Sequence, residues 1–316
     1  MAAPPKVPWT RLIRFISADD GDDQIYFGDA IVLTADFDIG DPANHASLTA
    51  RVVTGDPLLP TCQVTDRVLG VKKLLGPLTY KMVPSIRCIG GNYVSHLREI
   101  GIEPLKYPAM FSKTSNALAG YGDDVELATF IQDDQADYEG ELAFVIAKDA
   151  KNVAQEDAMD YILGYTCAND VSARKWAMDP NLVGTFPPPQ MTYGKSFDGF
   201  CPIGPCIVSA DVTWNQQTDH PLTQVLKDPH ALALRTKVNG ELRQQSNTAE
   251  LHFKIPALVE FLSRRSTLHA GSIVLTGTPG GVGFSMKPPR FLKEGDTVEI
   301  YFGGIGTLRH GITHAK

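Results

Sequence analysis

Apolar residues fall in short runs along the chain, broken by clusters of Gly, Pro, Asp and Asn. Short apolar runs bounded by turn formers predict β-strands more readily than long helices. The first strands are expected at 12–16 and 25–27, with the acidic stretch 19–23 between them read as a hairpin turn. That stretch lacks the ligand spacing of a calcium loop. Residues 31–33 continue the strand pattern, and 68–75 predicts a linking helix. Beyond residue 80 the apolar runs lengthen, predicting strands at 86–89, 141–146, 164–168, 203–207, 233–238, 272–276 and 297–301. Helical spacing fits 93–100, 155–162, 173–178 and 255–263. Three consecutive prolines in 186–190 make a stiff loop, since proline is excluded from helix interiors. The pattern describes a mixed α/β, strand-rich chain, with a small β-rich N-terminal domain over 1–79 and a larger domain over 80–316.

Composition narrows the class. An apolar content of 43% and a charged content of 21% are those of an ordinary soluble globular protein. A net charge of −7 argues against a nucleic-acid surface, and Lys72-Lys73 and Arg264-Arg265 are isolated basic pairs. No apolar run approaches the ~20 residues of a membrane span. The five cysteines are scattered without a Cys-x-x-Cys pair, so reduced thiols are expected rather than a disulfide frame or a zinc site. The N-terminal residues show neither a signal core nor an Arg-rich transit pattern, which places the protein in the cytoplasm. No Gly-x-Gly-x-x-Gly follows a strand, so a dinucleotide fold is not supported.

Candidate chemistry begins with Glu139 and Glu141, which leave one face of a predicted strand. The apolar run after them predicts burial, and buried carboxylates need partners. Asp170 closes another apolar segment, where it reads equally as a third ligand or as a helix N-cap. Three carboxylates suit a hard divalent cation: Mg²⁺ first, with Mn²⁺ or Ca²⁺ as alternatives. His96 and Glu99 stand i, i+3 on a predicted helix, either as a general base with its orienting carboxylate or as a surface pair. Arg174 is placed to grip a substrate carboxylate or to balance the acidic cluster. Lys195, after the prolines, suits the stabilisation of an enolate or oxyanion. The glycine-rich stretch 276–283 reads as a carboxylate cradle or as a tight turn.

In order, Gly90-x-Asn92-Tyr93-x-x-His96-x-x-Glu99, Phe111-x-Lys113 and Tyr138-Glu139-Gly140-Glu141-Leu142 resemble motifs of the fumarylacetoacetate hydrolase family. So do 169–174, 194–198, 238–243, 246–248 and 276–283, and the resemblance spans about 80–312. It implies a catalytic domain built as a β-roll, a homodimer, and Mg²⁺ or another divalent ion on Glu139, Glu141 and Asp170. It further implies His96 and Glu99 as a catalytic dyad. Lys195 and Arg174 become the cations facing substrate, and Thr278 and Lys113 further contacts. Family members cleave, decarboxylate, isomerise or hydrate oxo acids. The expectation is therefore metal-dependent hydrolysis of a carbon–carbon bond in a small-molecule β-diketo or 2-oxo acid, with His96–Glu99 activating water. Oxaloacetate or β-keto acid decarboxylation is the alternative, as is isomerase, hydratase or cyclase action on an unsaturated oxo acid. One departure bears on the substrate. Many members carry Gln three residues past the arginine, where this chain has Ala177, and Gln190 is the nearest substitute.

Overall fold

The computed structural model describes residues 7–32, 34, 37–184, 189–210, 226 and 228–316. Leu33 of the strand expected at 31–33, and residues 186–188 of the proline loop, lie outside the described residues. The chain opens with β1 (Arg11–Ser17), β2 (Ile25–Ile31), β3 (Thr49–Thr54) and β4 (Gln63–Leu75). It continues through β5 (Ile86–Gly90), α1 (Val94–Glu99), β6 (Ala109–Lys113), β7 (Leu118–Ala119), β8 (Val125–Leu127) and β9 (Ala136–Asp137). Next come β10 (Gly140–Ile146), β11 (Ile162–Asn169), β12 (Ser172–Ala173), α2 (Arg174–Met178), α3 (Pro180–Val183), α4 (Met191–Gly194) and β13 (Cys201–Ser209). The last elements are β14 (Ala233–Val238), β15 (Glu241–Asn247), α5 (Ile255–Ser263), β16 (Ile273–Leu275), β17 (Thr297–Phe302) and β18 (Gly306–His314).

The first four strands close on themselves: β1 pairs with β2, β2 with β3, β3 with β4, and β4 returns to β1. The acidic turn at 19–23 lies within the β1–β2 hairpin. The helix expected at 68–75 is instead the second half of β4. Leu69, Val71 and Leu74 are buried while Lys72 and Lys73 stay exposed, and a register shift opposite β1 turns a period of two into the spacing of three that imitates a helix. Hydrogen bonding crosses residue 79, because Arg11 and Leu12 of β1 pair with Val208 and Ile207 of β13. The large sheet runs β2-β3-β4-β1-β13-β11-β10-β16-β5-β6. The segment expected as a helix at 155–162 is a 3₁₀ turn, Gln155–Tyr161.

Strands β10, β11 and β13 are buried along their whole length, and their sequences are near-continuous apolar runs for that reason. One face packs on a second sheet, β15-β14-β17-β18-β8, and the other on Trp9, Leu78 and Val83. In β14 and β17 only alternate residues are buried, as expected of strands with one wet face. The second sheet meets the first at Gly140, where a Cβ atom would stand 2.2 Å from the Thr236 hydroxyl. Only glycine fits between the two glutamates. All five cysteines are free and buried. Among the described residues no helix is long and apolar enough to cross a membrane.

Candidate active site

Strand β10 starts immediately after Glu139, so Glu139 and Glu141 leave it on one side, both buried. Asp170 follows the last residue of β11, the partner of β10, and its N–H donates to the Glu139 carbonyl. The helix after it is capped at Ala173, so Asp170 is no N-cap. Ligand oxygens of Glu139, Glu141 and Asp170 all lie within 4.8 Å of one another.

Cations surround part of this cluster. Lys195 Nζ sits 2.7 Å from both Glu139 Oε2 and Asp170 Oδ2. Arg174 stands 2.6 Å from Glu139 Oε1. Burial alone would raise the Glu139 carboxyl, but Lys195 and Arg174 outweigh it and hold it well below the usual range. Burial likewise works against the Lys195 ammonium, yet Asp170 and Glu139 raise it overall, so it stays charged. Glu141 differs. Its carboxyl is pushed far up by burial and then by the charges of Asp170 and Glu139, with only a 2.6 Å bond from the Gly277 N–H and the charge of Lys195 in relief. A buried carboxylate beside two others calls for a further cation. Opposite oxygen ligands of a Mg²⁺ or Ca²⁺ ion stand about 4–5 Å apart, which fits the observed clustering. The donor set therefore suits a hard divalent ion held by Glu139, Glu141 and Asp170.

His96 projects from α1 into the same cavity, its Nδ1 donating to Glu99 Oε2 at 3.2 Å. Glu99 is itself fixed across the cavity edge by the Gly281 N–H at 2.9 Å. Burial raises this carboxyl, but the His96 and Gly281 hydrogen bonds leave it lowered overall, so it stays ionised. With Nδ1 engaged, Nε2 is the basic nitrogen. Arg174, Lys195, Thr278 and Gln190 line the cavity with the two glutamates, a space of about 660 Å³.

Two expected substrate contacts take other places. The Lys113 side chain has no exposed surface: its Nζ donates to the carbonyls of Val171 at 3.1 Å, Phe200 at 2.7 Å and Lys195, and stands 2.7 Å from Asp170 Oδ1 as an ion pair. It supports Asp170 from behind and cannot reach a ligand in the cavity. The amides of the glycine-rich loop are not a vacant cradle either. Gly277 serves Glu141, Gly281 serves Glu99, and Gly283 and Phe284 serve Asp137. Thr278 lines the cavity, but its hydroxyl donates to the Gly140 carbonyl and accepts from Gln244. Ala177 faces away: a Cβ on Gly194 would lie 2.7 Å from its own, so small residues at both positions bring α2 against the turn that carries Lys195.

A family model for the C-terminal domain of fumarylacetoacetate hydrolase matches residues 85–313. The chain belongs to the fumarylacetoacetate hydrolase family. This family member is 42% identical over 239 residues to oxaloacetate tautomerase fahd2, mitochondrial, of Xenopus laevis, covering 76% of this chain and 68% of that one. It is 38% identical over 252 residues to human oxaloacetate tautomerase FAHD2A, mitochondrial, covering 80% and 70%. Among solved structures it is similar to 2-hydroxyhepta-2,4-diene-1,7-dioate isomerase from Mycobacterium marinum, at TM-score 0.73 and 32% identity over 96% of this chain and 98% of that one. It is also similar to a fumarylacetoacetate hydrolase from Exiguobacterium antarcticum, at TM-score 0.69 and 28% identity over 97% and 100%. The mitochondrial relatives overturn the placement in the cytoplasm read from the N-terminal residues.

Three supports of this family site have roles that the sequence does not signal. Asp137 is wholly buried and accepts from Arg174 Nε at 2.8 Å, Gly283 N–H at 2.8 Å and Phe284 N–H at 2.9 Å, joining the guanidinium to the glycine-rich loop. Gln244 reaches from β15, accepting from the Gly140 N–H at 3.0 Å and donating to Thr278 at 2.8 Å and the Pro279 carbonyl at 2.9 Å. Asn169 accepts from the Glu139 N–H at 2.9 Å and donates to His310 Nε2 at 2.8 Å, while His310 Nδ1 donates to the Gly311 carbonyl. Apart from His310 and its neighbour Gly311, the partners lie at least 30 positions apart in the chain, so only the fold brings them together.

Proposed function

We propose that this enzyme moves a proton at the carbon beside the carbonyl of a 2-oxo acid, interconverting its keto and enol forms. The observation that carries the reading is one cavity holding a His96 base oriented by Glu99 together with a charged lysine beside the acidic trio. The relatives named as oxaloacetate tautomerases favour tautomerisation over bond cleavage as the outcome. Glu139, Glu141 and Asp170 would hold a divalent cation, which supplies Lewis-acid polarisation of the substrate's oxygen.

His96 Nε2 removes the proton from C3; the C–H pair becomes the C2=C3 bond, and the carbonyl π pair moves to oxygen. His96 then returns the proton to that oxygen, completing the enol. Lys195, kept charged by Glu139 and Asp170, opposes the negative charge that develops there. Glu99 holds the imidazole tautomer with Nε2 free. Hydrolytic carbon–carbon cleavage would use the same residues. His96 deprotonates water, the hydroxide adds to the distal carbonyl, and the C–C pair leaves as the 2-oxo acid's enolate, which takes up the proton from His96. Similarity to a fumarylacetoacetate hydrolase keeps this as the second reading.

Deuterium uptake at C3 of oxaloacetate in Mg²⁺-containing D₂O, followed by proton NMR, tests the proposal. The protein should accelerate exchange, and His96→Ala should lower that acceleration by about 10²–10⁴-fold. Appearance of an acid pair from an acylpyruvate without exchange at C3 would replace tautomerisation with hydrolysis.

A further inference from the structure

Lys113 ends β6, the outer strand of the large sheet, and its side chain is wholly buried behind Asp170. Its Nζ faces four oxygens: the carbonyls of Val171 at 3.1 Å, Phe200 at 2.7 Å and Lys195, and Asp170 Oδ1 at 2.7 Å. A neutral amine has a lone pair, which here would point at an oxygen. The ammonium, with three donors and no lone pair, suits the place. Carbonyl oxygens converging on a positive charge are also the surroundings of K⁺ in its channels, where they replace the ion's hydration shell.

The segments that supply these oxygens carry the active site. Val171 follows Asp170, and its N–H donates to the Phe200 carbonyl at 3.1 Å. Lys195 is the residue whose own ammonium reaches Glu139 and Asp170. The residues after Lys113 continue the attachment at the surface. Thr114 bonds Ser196 through both its N–H and its hydroxyl at 3.2 Å, and Asn116 bonds Asp198. Three carbonyl dipoles and a carboxylate aimed at one buried point repel one another unless a cation sits there. Charge at that point, rather than the lysine stem, therefore holds the backbone beside Asp170 and at Lys195 in place.

Resting on the reading of Asp170 and Lys195 as active-site groups, we propose that Lys113 is a positioning residue that acts as a tethered monovalent cation. The oxygens around its Nζ form a latent site for a free ion of ammonium size, NH₄⁺ or K⁺, which the lysine fills from within the chain. Dependence on a dissolved monovalent ion should appear when the stem is cut back.

Lys113→Ala removes the tether and opens the space of the stem, whereas Lys113→Met keeps most of the stem and loses the charge. Both are melted, Mg²⁺-loaded, in the chlorides of choline, Li⁺, K⁺ and NH₄⁺ at equal ionic strength. In choline each variant should melt about 10 °C below wild type, as expected of a broken buried ion pair. NH₄⁺ and K⁺ should restore most of that loss to Lys113→Ala; Li⁺, small and strongly hydrated, should not. Lys113→Met should respond to none of them, because its side chain fills the entry. Wild type should melt alike in NH₄⁺ and Li⁺. Deuterium exchange at C3 of oxaloacetate should return to Lys113→Ala with the same ion preference, which lost packing alone does not produce. Equal melting of Lys113→Ala in NH₄⁺, K⁺ and Li⁺, or wild-type stability of Lys113→Met, overturns the inference. If Lys113→Ala does not fold in choline, its refolding yield in each salt replaces the melt with the same order expected, and failure in every salt overturns the latent site. If wild type gives no C3 exchange, the proton-transfer proposal falls while the melts still decide this one.

Discussion

His310 should give this protein a stability that falls with acid for a reason located in the active site. Its imidazole is buried on β18, and burial depresses its pKa from 6.5 to about 4. In the unfolded chain the ring protonates as pH drops through 6.5, while in the folded protein it stays neutral until about 4. Between those values the unfolded state binds the extra proton, so stability rises with pH and is lost on acidification. Linkage gives a loss of about 2 kcal/mol by pH 5 and about 3 kcal/mol by pH 4. A protonated Nε2 would face the Asn169 amide donor, and turning that amide round would take its oxygen from the Glu139 N–H. Urea denaturation from pH 7.5 to 4.5 measures the effect against His310→Gln, whose neutral amide removes the titration. The wild-type midpoint should fall more steeply than that of the variant, by the equivalent of about 2 kcal/mol at pH 5. Parallel pH dependences of the two proteins would refute the assignment to His310.

Gln244→Leu leaves the Gly140 N–H buried without an acceptor and removes two donated bonds, so it should cost about 3 kcal/mol in urea denaturation. A loss under 1 kcal/mol would mean that Gly140 finds another partner. Asp137→Asn breaks a buried ion pair with Arg174 and should destabilise the protein by about 3–5 kcal/mol, read as a lowered urea midpoint. Adding Mg²⁺ to 100 times its dissociation constant should stabilise the fold by about 2.7 kcal/mol, and Glu141→Gln should remove most of that gain in thermal melts.

Much of the candidate site's geometry was legible because its residues lie in short local patterns. Glu139 and Glu141 share a strand face, His96 and Glu99 share a helix face, and Asp170 ends an apolar run; the structure puts all five at one cavity or against its floor. The central strands were legible as buried apolar runs. Long-range pairing was not. Asp137, Gln244 and His310 look like ordinary polar residues until a fold joins each to a partner more than thirty positions away. Lys113 was assigned to substrate because its motif suggested a cation in the site, but charge alone does not say on which side of Asp170 the ammonium stands. Strand β18 escaped notice because Arg309, His310 and Gly311 interrupt its apolar alternation, and the helix read at 68–75 came from a bulge that distorted a strand period.

The contact between Gly140 and Thr236 has a consequence for the order in which the molecule is made. All three acidic residues have been synthesised once residue 170 has been added, yet what holds them comes later: Thr236 and Gln244 over Gly140, Gly277 on Glu141, and His310 behind Asn169. A nascent or truncated chain therefore carries the acids without the frame that gathers them. An ion held by Glu139, Glu141 and Asp170 should therefore be captured only after β18 has been synthesised.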